Sequence, residues 1–177
     1  PSDGVTALAI RNGKELWIGT DAGLAMMTIG LIDATIPPNS PFQNAVISSL
    51  AADKDGLLWI SAIREMQDEG GWIEGMGISS YDGKSWKSYT PANSTLPESF
   101  IGSIHADGQN RKWLATYYNT SERDHGSGLC SFDGKKFSVH GNGKSYSSVE
   151  CLAVDNAGKA WMGLAEYTEE GLLDGGL

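Results

Sequence analysis

The sequence predicts an all-β fold assembled from about four copies of one small sheet. Three observations predict it: four tryptophans recur in matched surroundings, glycine reaches 23 of 177 residues, and short apolar runs end in turn-forming clusters. Periodicity of this length marks repeat architectures. The tryptophans are Trp17, Trp59, Trp113 and Trp161. Twelve residues before them stand Val5, Ile47, Ile101 and Val149, and nine before stand Leu8, Leu50, Ile104 and Leu152. Ten before, the residue is small: Ala7, Ser49, Ser103, Cys151. Six before come Asp53, Asp107 and Asp155, with Arg11 as the exception. The residue after each Trp is apolar (Ile18, Ile60, Leu114, Met162) and the next is small (Gly19, Ser61, Ala115, Gly163).

Each unit reads as strands. Val5 to Ile10 is a short apolar run without helical period, Arg11-Asn12-Gly13-Lys14 is a turn cluster, and Leu16 to Thr20 is a second strand. In the second unit Asp53-Lys54-Asp55-Gly56 takes the turn, where Gly supplies a positive φ. Third strands begin at Gly23-Leu24, Gly77-Ile78, Gly128-Leu129 and Gly171-Leu172. Two of them end in Tyr81-Asp82-Gly83-Lys84 and Phe132-Asp133-Gly134-Lys135, and Asp-Gly between apolar runs is a strong hairpin signal. Fourth strands follow at Trp86–Thr90 and Phe137–His140. The first unit degenerates after Met27, where Pro37-Pro38 interrupts any fourth strand, and the last unit runs to Leu177 with no room for one.

The inner strands are apolar on both faces, whereas a sheet with one wet face alternates. Small sheets packed between two neighbours need not alternate, and radial stacking also protects their edges. The expected fold is therefore a β-propeller built from four-stranded antiparallel meander blades, about four repeats with the last incomplete. It forms a single domain over residues 1–177, in units of approximately 1–42, 43–96, 97–145 and 146–177. The tryptophans would fill the space between blades and the small residues would let blades approach. Three and a half units do not close a ring in the ordinary way. Self-association that completes the ring, or a compact four-bladed ring, is expected over a stable open monomer, and a third alternative is that the chain is cut from a longer protein.

Thirteen Lys and Arg stand against 22 Asp and Glu, a net charge of −9, which disfavours nucleic acid as a partner. No apolar run approaches the roughly 18 residues of a membrane helix, so no membrane span is expected in this chain. No basic-then-apolar start marks a signal peptide.

Segments such as Leu16-Trp17-Ile18-Gly19-Thr20-Asp21-Ala22-Gly23-Leu24 and Asp155-Asn156-Ala157-Gly158-Lys159-Ala160-Trp161-Met162-Gly163 resemble the two-component-regulator propeller repeat. The resemblance covers nearly the whole chain in four copies. It implies a bacterial sensor propeller in signal transduction, periplasmic or otherwise extracytoplasmic. Such a propeller binds ligands, frequently carbohydrate-derived, with no catalysis in the repeat itself.

Loops between second and third strands differ sharply in length: Asp21-Ala22, Ala62 to Met76, Tyr117 to Ser127, and Ala165 to Glu170. Strand parity puts them on one rim together with the links between blades. The leading expectation is non-catalytic binding of a small polar ligand or saccharide at that rim. Its candidate residues are Arg64, Glu65, Asp68, Trp72 and Glu74 in one loop, and Tyr117, Tyr118, Arg123, Asp124 and His125 in the next. Rings stack on C–H faces or attract cations, and polar groups fix hydroxyls. Solvated loops are the competing reading. Further alternatives are a protein-interaction or self-assembly module and, less favoured, a lyase or hydrolase using rim carboxylates.

No cofactor is expected. Asp53-Lys54-Asp55-Gly56 lacks the later ligands of a calcium loop, and His105, His125 and His140 lack metal-ligand spacing, so no metal is expected either. Cys130 and Cys151 read as small core fillers, with a lean to free thiols.

Overall fold

The computed structural model describes residues 4–31, 34–35, 37–66, 73–116, 128–140, 148–155, 158–168 and 171–176. They form four antiparallel sheets, one per repeat. Blade 1 holds β1 (Val5–Arg11), β2 (Glu15–Thr20), β3 (Gly23–Thr28) and β4 (Ala34–Thr35). Blade 2 holds β5 (Val46–Ala52), β6 (Leu58–Glu65), β7 (Ile73–Tyr81) and β8 (Trp86–Tyr89). Blade 3 holds β9 (Ile101–Ala106), β10 (Lys112–Thr116), β11 (Leu129–Phe132) and β12 (Phe137–His140). Blade 4 holds β13 (Ser148–Val154), β14 (Ala160–Thr168) and β15 (Gly171–Gly176). Within every sheet the strands follow chain order, so each blade is a meander. This is the all-β, propeller-type architecture read from the sequence. The degenerate first unit still closes a two-residue fourth strand, Ala34–Thr35, before the prolines are reached.

Inner strands of successive blades lie side by side, β1 against β5, β5 against β9 and β9 against β13. Strands β1 and β13 do not pack against each other in this way among the described residues, so the blades form an open arc rather than a compact ring. The first two junctions share one construction. The face of a blade that carries Trp and the small residues meets the face of the next blade that carries the branched residues. Gly19 illustrates why smallness matters: a Cβ there would stand 2.6 Å from Cγ2 of Ile47 in the next blade. Trp17 and Trp59 are almost wholly buried at these junctions. Each meets the aromatic pair flanking the next blade's Asp-Gly turn. Trp17 lies 5.5 Å edge-on to Tyr81, which stacks on Trp86, and Trp59 lies 5.7 Å edge-on to Phe132, which stacks on Phe137.

A β-bulge interrupts the inner strand at the same place in all four blades, at Thr6, Ser48, Gly102 and Glu150. It puts the residues twelve and nine before the Trp on one face, which plain alternation would not do.

The aspartate six before the Trp is a clamp. Asp53 Oδ1 accepts the Asp55 and Leu57 amides, while Oδ2 accepts Trp59 Nε1 at 2.8 Å and Lys112 Nζ of the next blade at 3.1 Å. Asp107 repeats this with the Gln109 and Arg111 amides and with Trp113 Nε1 at 2.9 Å. In blade 1 Arg11 takes the position, and Glu15 supplies the carboxylate instead. Its Oε2 accepts Trp17 Nε1 at 3.0 Å and Arg11 Nη1 at 2.9 Å. Arg11 then reaches the next blade, donating to the Gly56 and Asp82 carbonyls.

Cys130 is fully buried as expected, and burial pushes its thiol up to about 11. Cys151 departs from the expected core position: it is exposed, and among the described residues no further sheet packs on its face of blade 4. Both are free thiols.

Burial alone would raise the Asp53 and Asp107 carboxyls, but the indole and backbone donors outweigh it and leave both below the ordinary 3.8. The folded state therefore holds fewer protons than the unfolded one. The stabilisation is complete above the usual carboxylate range and is lost as pH falls through it toward the folded values. Asp107→Asn is expected to cost about 1–3 kcal/mol at neutral pH and to flatten the fall in stability between about pH 5 and 3. Urea melts across that range check both effects.

Ser61 Oγ is buried without a hydrogen-bond partner, and the matching positions are Gly19, Ala115 and Gly163. Ser61→Ala is expected to leave stability unchanged or raise it by up to about 1 kcal/mol, since a lone buried hydroxyl costs desolvation. Thermal denaturation reads this directly.

Candidate functional site

Strand direction fixes which ends of the blades share a rim. The first strand of each blade runs toward the Asp clamp and the second runs back, so second-to-third-strand loops and inter-blade links emerge together. Among the described residues a cleft of about 890 Å³ opens on the loop-bearing rim between blades 1 and 2. Its lining is Asp21 from the β2–β3 turn, Ser40, Pro41, Gln43 and Asn44 from the inter-blade link, Val46 at the start of β5, and Arg64 with Glu65 from the end of β6.

Local sequence explains each wall. Asp21 is held by its amide, which donates to the Gly4 carbonyl at 3.1 Å. The link bends tightly, with Asn39 and Asn44 at φ of 54° and 56°, values that Asn tolerates better than most residues. Phe42 anchors it, only 2 % exposed, with its ring 5.6 Å from Trp86. Arg64 Nη2 donates to the Pro41 carbonyl at 2.9 Å, tying the β6 end to the link. The lining offers two carboxylates, one guanidinium and the amides of Gln43 and Asn44. That set suits a hydroxyl-rich or zwitterionic ligand by hydrogen bonding.

The loop read as Ala62 to Met76 is shorter than expected. β6 continues to Glu65 and β7 starts at Ile73, with Arg64 opposite Glu74 and Glu65 opposite Ile73. Gly77 is therefore not the start of the strand but a kink within it, at φ 68°, with its amide donating to the Ser99 carbonyl at 2.9 Å. Gly75 lets the next inter-blade link cross at this point, since a Cβ there would stand 2.5 Å from the Ser99 carbonyl carbon. The fourth loop shrinks likewise, as β14 runs to Thr168 and β15 begins at Gly171.

Of the candidate residues, Arg64 and Glu65 line the rim cleft and Glu74 pairs across the hairpin from Arg64. Asp68, Trp72, Tyr117, Tyr118, Arg123, Asp124 and His125 lie outside the described residues. Sequence reasoning missed Asp21, Gln43 and Asn44. In the sequence the link reads only as a connection, although its Pro and Asn content marks a shaped turn. Two smaller grooves, about 440 and 420 Å³, run between blades 2 and 3, lined in both cases by Lys87, Tyr89 and Phe132.

Beyond the cleft lining, His140 Nε2 lies 2.7 Å from Ser131 Oγ and its ring 4.9 Å from Trp113. Burial, with the Arg111 charge adding to it, holds its imidazole below the ordinary 6.5. No group of three or more His, Cys, Asp or Glu side chains that could hold a metal occurs among the described residues.

Residues 41–64, the first link with β5 and most of β6, match the two component regulator propeller model. No curated protein matches the chain. Solved structures do. The extracellular domain of the proposed one-component system BT4673 from B. thetaiotaomicron is 21% identical with a TM-score of 0.64, over 94% of this chain and 21% of that one. PorZ, a bacterial surface component of the type-IX secretion system of Porphyromonas gingivalis, is 19% identical with a TM-score of 0.62, over 89% of this chain and 23% of that one. An ancestral GH74 enzyme is 17% identical with a TM-score of 0.62, over 92% and 22%. The chain thus spans about a fifth of the length of these structures, which establish the propeller fold.

Gly75→Ala is expected to push the crossing link off β7 and destabilise the chain by about 1–3 kcal/mol. Comparing its melting midpoint with wild type checks that the rim depends on this crossing.

Proposed function

We propose, from the match of residues 41–64 to the two component regulator propeller model and from the recurrence of the same pattern in the other three blades, that the chain is a sensor-type propeller segment acting outside the cytoplasm. It binds a small polar ligand, a saccharide or similar polyol, without turning it over. The observation that carries this reading is the rim cleft, whose walls come from blade 1, the link and blade 2 together. A ligand seated there touches both blades, so binding energy couples to how the two blades sit against each other. Extra chain length is concentrated on this same rim, where a rigid scaffold can present variable loops.

The carboxylates of Asp21 and Glu65 also raise the question of hydrolysis, and the fold is shared with an enzyme. Fold likeness alone does not transfer chemistry. Binding without turnover remains the reading that the polar, amide-rich lining favours.

The test is calorimetric titration and thermal shift against a panel of neutral and acidic oligosaccharides, with product release followed in parallel. At least one sugar class should bind with unchanged sugar recovered. Arg64→Ala should weaken it about tenfold, or about 1.4 kcal/mol. Absence of heat and of thermal shift across the whole panel overturns the reading, as does release of shortened sugars.

A further inference from the structure

The two grooves between blades 2 and 3 share Lys87, Tyr89 and Phe132, so together they make one trough. One end lies at Asp55, in the first hairpin turn of blade 2, and the other at Asn93, Ser94 and Thr95, in the link after β8. Both walls belong to blades that have a neighbour on each side within the chain. The trough shares no residue with the rim cleft, and neither site depends on the other.

Charge sets the link end apart. The chain carries a net charge of −9, yet this 440 Å³ half is lined by Lys87 and Lys135 and by no carboxylate. Among the described residues neither ammonium has an ion-pair partner. Lys87 Nζ sits 4.8 Å over the Tyr89 ring, which holds it at the groove. The floor is aromatic: Phe132 and Phe137 are buried and stacked at 4.3 Å, and Tyr89 lies 5.2 Å from Phe132. Nearby acceptors are engaged by the chain itself, since Asn93 Oδ1 accepts the Thr90 amide and Thr95 Oγ1 the Phe137 amide. What stays unspent is positive charge beside apolar rings. At the turn end, a 420 Å³ half, the balance reverses. Lys112 is met by Asp53 at 3.1 Å, and Asp55 and Asp82 add carboxylates.

We propose that the trough binds an acidic oligosaccharide in which charged and neutral residues alternate. The charged residue sits at the link end, its carboxylate or sulfate between Lys87 and Lys135, where charge-assisted hydrogen bonds are strongest. Its C–H face lies on the aromatic floor. The neutral residue next to it donates hydroxyls to Asp55 and Asp82. A uniformly acidic peptide matches the lysines but brings its next charge against those two carboxylates. Each half falls within the roughly 300–1,000 Å³ of ligand sites.

The experiment is calorimetric titration of the chain at low salt with four probes. They are a hyaluronan tetrasaccharide (carboxylates alternating with neutral residues), a κ-carrageenan tetrasaccharide (sulfates alternating with neutral residues), a neutral chitin tetrasaccharide and tetraglutamate. At least one acidic sugar should bind about tenfold or more tighter than the chitin probe, and the better of the two identifies the anion. Its affinity should fall as salt is added. Lys87→Glu and Lys135→Glu should each weaken it at least about tenfold, whereas Lys14→Glu, the same charge change on blade 1, should stay within about twofold. All three lysines are exposed, so the variants should keep the wild-type circular dichroism. Absence of heat with both acidic sugars overturns the proposal, as does equal binding of the chitin probe. Tetraglutamate binding as tightly as the sugars makes this an acidic-peptide site instead. An equal loss in Lys14→Glu shows a general field rather than a site, and also overturns it.

Discussion

The structure depends on how one indole is held. A tryptophan between two thin sheets is useful only if it is fixed in both position and rotation, and its N–H must be satisfied when buried. A carboxylate at the first hairpin turn does both tasks, gathering turn amides on one oxygen and the indole on the other. The turn and the junction are thereby one unit. The turn also reaches sideways: Lys112 joins Asp53 from the next blade, and Asn110 donates to Asp55 across the same boundary. Hydrophobic burial supplies the bulk of the junction, and the carboxylate orients it.

Blade 1 shows that the requirement is chemical rather than positional. Losing the aspartate at Arg11 would orphan Trp17, and the structure restores the carboxylate from Glu15, four residues later. The displaced arginine then takes up carbonyls of the neighbouring blade. Such a double exchange is what a repeat array tolerates, because each junction needs only its own two partners.

Much of this was legible beforehand. Trp spacing, the small residues and the Asp-Gly turns point to the blade count, the meander order and tryptophans lying between blades. The aspartate was visible as a recurrence, but its reason was not, since the indole contact is made across the β1–β2 type of hairpin and needs coordinates. The bulge was written in the sequence too, as two branched residues three apart in a strand, where alternation would put them on opposite faces. The rim was less legible. Strand ends at Glu65 and Ile73 depend on hairpin pairing between residues with no strong propensity, and Gly77 reads equally well as a start or a kink. The cleft itself is formed by chain segments distant in sequence, Asp21 with Arg64, so no local pattern could announce it. Cys151 was misjudged for a related cause: burial at its position is conferred by the adjoining blade.

The sideways contacts have a consequence for how such arrays can diversify. Arg11 meets the Gly56 and Asp82 carbonyls of the next blade, and Lys112 meets the spare oxygen of the preceding aspartate. These two boundaries thus carry different locks and keys, although the wedges share a common plan. Swapping the order of wedges would preserve all the indoles while stranding cations against the wrong neighbours. The polypeptide therefore records not only what its modules are but the order in which they must stand.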